Sequence, residues 1–387
     1  MKLLDVTEFY SPRGGGVRTY LLEKARWLAS RADVEHTIAV PADRTETTVW
    51  ERSRVHLLRG PGVPASPGYH FLIAGRQLAR IVERERPDVI EVGSPYVAPW
   101  LVRRATRGTA ARLVAFVHEN PRLYAGALAA PVGVYLRAAH RDFDLAVAAS
   151  PDNLGGLGVA RTAVVPLGVD TTTFHPARRD PAWRAAIGAA PGQPVALYVG
   201  RLSAEKGLDV VLEAAPEIHR TTGTRIVLIG EGHLRRRLEA AARAQPDVLR
   251  VLPFEPDRAR LARAYSSADL FLAPCRFETF GLAALEAMAS GLPVVGVAAA
   301  GIGRLLDGAD WGRTYRAGDA GDCARAVCDL VALDLAAAGR RARACAVARY
   351  GWERTFSELL ELYRGLLARD AASASSRAPS AAGTMSV

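Results

Sequence analysis

The feature that most constrains this chain is an alternation that runs, stops and starts again. Short β-rich runs trade places with amphipathic stretches from the first residue, pause at one proline- and glycine-punctuated segment, Val165–Pro176, and then resume. Alternation of this kind predicts βαβ units and a parallel sheet covered on both faces. Before the pause the strand candidates are Lys2–Val6, His36–Val40, Val55–Leu58, Asp88–Gly93, Leu113–His118, Asp144–Ala148 and Ala163–Pro166. After it they are Val195–Gly200, Arg225–Gly230, Val248–Leu252, Asp269–Ala273 and Pro293–Val297. The restart predicts two doubly wound α/β domains in tandem, residues 1–168 and 169–349. A length of 387 residues agrees, because one hydrophobic core usually stops growing below that size.

The last part of the chain reads differently. Residues 320–369 are helical in pattern throughout, and Trp352, Phe356, Leu359, Leu360 and Tyr363 fall on one apolar face that needs a partner. Residues 371–387 are rich in Ala and Ser with no apolar set to bury, so a disordered tail is expected there. No run approaches the roughly 18 to 20 apolar residues of a membrane span, and the opening Met1–Val6 is too soon acidic for a secretion signal. A cytoplasmic protein is therefore expected. Cys275, Cys323, Cys328 and Cys345 have the spacing of neither a zinc site nor a redox pair, which predicts reduced, buried thiols.

Four segments carry the chemistry. Glu278 and Glu286 bracket the start of a helix: the first lies in the turn after the strand Asp269–Ala273, the second two turns along. Between them, Phe280, Gly281 and Leu282 offer free backbone N–H groups where open α/β sheets bind ligands. In Gly200-Arg201-Leu202-Ser203-Ala204-Glu205-Lys206-Gly207, two cations at a strand's carboxyl edge suit a diphosphate, Arg201 as a fork and Lys206 as a point charge. Gly14, Gly15 and Gly16 follow the first strand and let backbone approach a phosphate or sugar, yet they match neither the dinucleotide nor the Walker pattern. Gly230-Glu231-Gly232 is a second such near miss. His118 closes a strand and should face the cleft; no metal cluster is visible among the histidines.

The formal charge of +10 favours anionic partners. Aromatic residues, at 7%, are not interleaved with the basic ones, which argues against nucleic acid. Arg103, Arg104, Arg107 and Arg112 instead suggest an anionic membrane surface as partner.

These segments together resemble the retaining glycosyltransferases of family 4, over nearly the whole chain from Lys2 to Arg369. The resemblance implies the GT-B architecture, two Rossmann-like domains facing a central cleft, with the helix at residues 350–369 crossing back to complete the first domain. It implies transfer of a hexose such as mannose, glucose or galactose from a nucleotide-diphosphate sugar to an acceptor hydroxyl, lipid-linked or on a glycan or glycolipid precursor. Arg201 and Lys206 would hold the diphosphate, with Gly200 and Gly230 at the edge of the donor site. Glu286 would bind ribose, and Glu278 with the backbone of Phe280, Gly281 and Leu282 would face the sugar. Gly14, Gly15 and Gly16 would close over the phosphates, and His118 would stand near the anomeric carbon. No cofactor or metal is expected, the chain should be a monomer or weak dimer, and peripheral placement on the inner face of the membrane is a second expectation for location. Pro253-Phe254-Glu255-Pro256 and Ala299–Arg304 depart from the family's usual glycines, which leaves the base open. Two other readings stay beside this one: a nucleotide-sugar epimerase of the same architecture, and a non-catalytic sugar or nucleic-acid binding protein.

Overall fold

The computed structural model describes residues 1–376 apart from Ala65, Pro67 and Tyr124. Its first sheet has eight strands: β1 Lys2–Val6, β2 Glu35–Ala42, β3 Glu46–Trp50, β4 Ser53–Arg59, β5 Val89–Val92, β6 Arg112–Val117, β7 Leu145–Ala148 and β8 Thr162–Val164. They lie in the order β3-β4-β2-β1-β5-β6-β7-β8. The second sheet has β9 Val195–Val199, β10 Arg225–Ile229, β11 Leu249–Leu252, β12 Leu270–Ala273, β13 Val294–Val297 and β14 Gly312–Tyr315, in the order β11-β10-β9-β12-β13-β14. Only β3 pairs antiparallel among these strands. The inner strands are apolar almost without interruption, as Val195, Ala196 and Leu197 illustrate by complete burial, because helices cover both faces of a parallel sheet.

Each sheet starts in its middle. The first winds outward from β1 through β2 and β4, then resumes at β5 on the other side of β1; the second does the same from β9, resuming at β12. Successive crossovers diverge at these two points and leave a crevice at the strands' carboxyl ends. The architecture therefore prepares a binding edge on each sheet.

Two strands escaped the reading of the sequence. β3 and β14 are short edge strands, and an exposed edge such as β3, whose Val49 stands 63% exposed, lacks the apolar run that betrays a buried strand. The stretch 320–369 is also not one helix. It breaks into Ala320–Val331, Leu335–Arg349 and Trp352–Ser376, the second started by Asp334, whose side chain accepts from Ala337 N at 2.9 Å. The last helix runs to Ser376, past Ala371, where the composition reads as tail; residues 377–387 lie outside the described residues.

The chain passes between the sheets twice, and the two crossings run side by side. Val169 N donates to Tyr350 O at 2.8 Å. A Cβ on Gly168 would stand 2.5 Å from Trp352 N, so the crossing admits only glycine there. After the second crossing the helix Trp352–Ser376 lies on the helix Gly16–Ala29 of the first half. Phe356 stacks on Trp352, their centroids 5.1 Å apart, and its ring centre stands 5.6 Å from Tyr20 and 5.7 Å from Trp27. Under this joint sits a closed charge cluster. Lys24 Nζ lies 2.8 Å from both Asp5 Oδ1 and Glu91 Oε2; His36 Nε2 is 3.0 Å from Asp5, and Tyr20 and Tyr363 both donate to Glu91. No helix among the described residues is long and apolar enough to cross a membrane.

Candidate active site

Residues just beyond the carboxyl ends of both sheets line one cleft of about 580 Å³. One wall begins where β9 ends. Gly200 turns the chain, the Tyr198 hydroxyl donates to Arg201 O at 2.8 Å, and a single turn, Ala204–Lys206, leads into the helix Leu208–Thr222. Gly207 joins the two at φ +70°, where a Cβ would meet Pro274 O at 2.5 Å. That close approach pins the cationic loop to the exit of β12. Lys206 Nζ then reaches Glu278 Oε2 at 3.1 Å, and the adjacent carboxylate holds the ammonium well above its ordinary pKa. Arg201 stays open to solvent, its side chain 65% exposed and 3.8 Å from Glu205.

The floor is the loop before the helix Leu282–Ala289. Gly301 N donates to Glu278 O at 2.9 Å, which ties this loop to the helix Ala300–Leu305. Gly281 caps the helix at φ +96°, and a Cβ there would strike Ile302 at 2.6 Å. Phe280, Gly281 and Leu282 accordingly present backbone to the cleft, with the N–H groups of the first turn left without helical partners.

The opposite wall comes from the first sheet. Gly15 and Gly16 line it, and a Cβ on Gly16 would touch Leu282 at 3.0 Å, so the glycine loop already meets the second domain. His118, just past β6, packs edge-on to Tyr20 with centroids 5.0 Å apart. Burial, reinforced by Lys24, pushes its pKa down to about 3, so its imidazole is neutral across the physiological range. Three further groups here were not singled out from the sequence. The Tyr96 hydroxyl donates to Glu119 at 3.0 Å, and Glu8 accepts from Ala98 N; burial raises both carboxyls. Only adjacency to His118 marked Glu119, and nothing local marked Glu8 or Tyr96, because strand ends far apart in sequence bring them together.

The cleft gathers His118, Gly15, Gly16, Gly200, Arg201, Lys206, Glu278, Phe280, Gly281 and Leu282, but three expected members stand elsewhere. Gly14 meets the Phe254 ring, to which a Cβ would come within 3.1 Å. Gly230 is needed for packing: its Cβ would stand 1.9 Å from Gly200 O. Glu286 points from its helix toward the neighbouring helix Arg258–Ser267, where it accepts from the Tyr265 hydroxyl at 3.1 Å and faces Arg258 at 3.6 Å. Arg258 also reaches Glu23 of the first half at 3.7 Å, and burial raises Glu286 to about 7. The arginine cluster likewise divides. Arg103 pairs with Asp142 at 2.5 Å and Arg112 with Asp144 at 2.9 Å, leaving Arg104 and Arg107 exposed. All four cysteines are free, but Cys328 and Cys345 are only partly buried, since their helices pack one face alone.

Known proteins bear on this site. Residues 14–173 match the model described as Glycosyltransferase Family 4, and residues 193–332 match that of Glycosyl transferases group 1. A GDP-mannose-dependent alpha-(1-6)-phosphatidylinositol dimannoside mannosyltransferase of Mycobacterium tuberculosis is 32% identical, covering 93% of this chain and 95% of the relative. A GDP-mannose-dependent alpha-mannosyltransferase of Corynebacterium glutamicum is 25% identical over 95% and 90% of the two chains. Among solved structures, sucrose-phosphate synthase from Thermosynechococcus elongatus superposes with a TM-score of 0.78 at 20% identity, covering 95% of this chain and all of that one. HepE of Anabaena in complex with UDP and glucose gives 0.72 at 18%, covering 94% and 99%. The fold is GT-B, and this kinship sets aside the epimerase and binding-protein readings. With a full-length relative, both halves matched and the two sheets' binding edges sharing one cleft, the chain belongs to glycosyltransferase family 4 and is a glycosyltransferase.

Proposed function

We propose that this enzyme moves a mannosyl group from GDP-mannose to a hydroxyl of a glycolipid headgroup, with retention of anomeric configuration. The observation that carries the reading is the placement of Lys206 and Arg201 at the edge of the second sheet, beside Glu278 and across one cleft from His118. Kinship over the full length to a GDP-mannose-dependent enzyme supports the donor. Arg201 and Lys206 bind the departing diphosphate, backed by the N–H groups at Phe280–Leu282, and stabilise the charge that grows as the bond from the anomeric carbon to the phosphate oxygen breaks. The acceptor oxygen attacks on the same face and its proton passes to the diphosphate oxygen, so no side chain has to become covalently attached. Neutral His118 accepts or donates one hydrogen bond at the sugar without adding charge. Glu286 grips ribose once Arg258 has yielded its carboxylate, a rearrangement in keeping with domain closure. The two cations cover the diphosphate's charge, which makes turnover independent of added metal, and a chelator is expected to leave it unchanged.

The acceptor reading extends to a membrane. The helix Ala98–Ala105 exposes Trp100 as well as Arg104, Arg107 follows it, and the helix Ala129–His140 exposes Val134 and Tyr135, with Leu128 just before it. Exposed aromatic and aliphatic groups accompanied by arginine suit the headgroup layer of an anionic bilayer, with the enzyme peripheral on its cytoplasmic face. The deciding experiment offers purified enzyme GDP-mannose, UDP-glucose and UDP-galactose with lipid extract as acceptor, and assigns the product's anomeric configuration by NMR. Transfer from UDP-sugars alone, or an inverted product, would remove the proposal.

A further inference from the structure

We propose that Arg122 and Arg137 form a second anion site in the first domain, on segments that follow β6 and beyond the residues that line the cleft, for a phosphate ester carried by the acceptor; this rests on the transfer reading above. After β6, His118 and Glu119 line the cleft, and the chain then turns through Pro121–Leu123. The Arg122 side chain lies in a bed made by glycines. A Cβ on Gly156, at φ +82°, would fall 2.0 Å from Arg122 Nη1, and one on Gly133 would stand 3.1 Å from Arg122 Nε and 3.5 Å from Arg137 Nη1. Gly158, at φ +72°, makes the same room for the Arg137 stem, 3.0 Å from Cγ. Two guanidinium groups thus converge above Gly133, and any larger residue at these glycines would displace them.

Convergence of two cations calls for an anion. Among the described residues no carboxylate lies within 4.0 Å of either guanidinium, although Arg103, Arg112 and Arg304 are each paired, with Asp142, Asp144 and Asp152. The Arg122 side chain makes one long bond, Nε to Ala129 O at 3.4 Å. The separate loop that carries Gly156 and Gly158 holds Asn153, 1% exposed, whose two carboxamide atoms both lack a partner. Asn120 Nδ2 fixes that loop by donating to Asn153 O and Gly155 O, each at 2.9 Å. Two unpaired forks are the donor set of a phosphate site. The donor diphosphate already has its own cations on the opposite wall, so the anion served here belongs to the acceptor. It is either a free phosphorylated polyol or the phosphodiester of a lipid headgroup.

The test uses the full chain and the double variant R122Q/R137Q, with R340Q/R349Q, two exposed arginines of the helix Leu335–Arg349, as a control for general surface charge. Acceptors are inositol, inositol 1-phosphate, and phosphatidylcholine vesicles with and without phosphatidylinositol. Each lost charged contact should raise the acceptor KM about tenfold. Phosphate-bearing acceptors alone should respond, while the donor KM and slow donor hydrolysis stay at wild-type values; the soluble and vesicle arms separate the two sources. An unchanged acceptor KM, or an equal rise for the control, overturns the proposal. Independently of activity, crystals soaked in tungstate should show density at Arg122 and Arg137 that the double variant loses, and density confined to Arg201 and Lys206 overturns it. Absence of donor hydrolysis in the wild-type chain would instead count against the transfer reading, and the tungstate result still decides the anion site.

Discussion

Lys206 Nζ stands 3.1 Å from Glu278 Oε2, although the two residues belong to loops that leave different strands, β9 and β12. Those strands are neighbours that flank the switch point of the second sheet, so the ion pair marks the place where a ligand must enter. A diphosphate arriving there competes with Glu278 for the ammonium. The pair holds Lys206 charged and in place before the donor comes.

Removing that charge should slow chemistry more than binding. Lys206→Ala is expected to lower kcat by about 10²- to 10³-fold, the usual loss for a preorganised charge stabiliser. Arg201→Ala should cost less, because its side chain is 65% exposed and solvent screens it. Steady-state kinetics with saturating donor measure both, and near-normal turnover in Lys206→Ala would rule out the leaving-group role.

The loop that carries Lys206 depends on Gly207. At φ +70°, and with Pro274 O only 2.5 Å from where a Cβ would be, alanine must strain or shift the loop. Gly207→Ala should cost about 1 to 3 kcal/mol of stability and reduce kcat. Urea unfolding monitored by circular dichroism, beside a rate assay, gives both numbers.

His118 should not titrate near neutrality. Burial favours the neutral ring and lowers its pKa to about 3, so the unfolded chain binds this proton first as pH falls from the ordinary histidine value. The group therefore leaves stability unchanged above that value and subtracts from it between there and pH 3. NMR titration of the His118 ring, assigned with His118→Ala, should show no transition above pH 4. A transition near 6.5 would contradict the buried, neutral ring.

Glu286 carries the opposite sign. Burial raises its pKa to about 7, only partly offset by Arg258 and Tyr265, so the folded chain keeps a proton that the unfolded chain releases above the usual carboxylate range. This group's contribution to stability falls as pH rises from about 4.5 to 7. Ribose hydroxyls donate to the ionised form, so GDP affinity should tighten between pH 6 and 8. Calorimetric titration across that range should show the trend in the wild type and lose it in Glu286→Gln.

The charge cluster under the C-terminal helix is a stability device. Lys24→Met strands Asp5 and Glu91 in a site where both are 2% exposed, and a broken buried pair costs about 3 to 5 kcal/mol. Tyr363→Phe removes one of two hydroxyl donors to Glu91 and should cost about 1 to 3 kcal/mol. Urea midpoints should fall in that order.

Much of this was legible in the linear chain because periodicity and local turn chemistry are short-range. The restart of β-rich runs after Val165–Pro176, the cations before Gly207, and the acid before Gly281 all lie within single segments. The edge strands Glu46–Trp50 and Gly312–Tyr315 escaped because an edge buries too little to leave an apolar run. Arg103 and Arg112 read as free charge until their aspartates, Asp142 and Asp144, arrived from distant segments.

The sequence by itself determined the class of fold, its two sheets and the phosphate-facing loop, since helix and strand periods are local and hydrophobic burial follows them. Tertiary structure alone decided which groups meet. It set Glu286 against Arg258 and Glu23, turned Gly230 into packing, brought Tyr96, Glu8 and Glu119 to one wall, and laid Arg122 and Arg137 on a bed of glycines. Partner choice of that kind depends on where strand ends and helix faces fall in space, and no period along the chain encodes it.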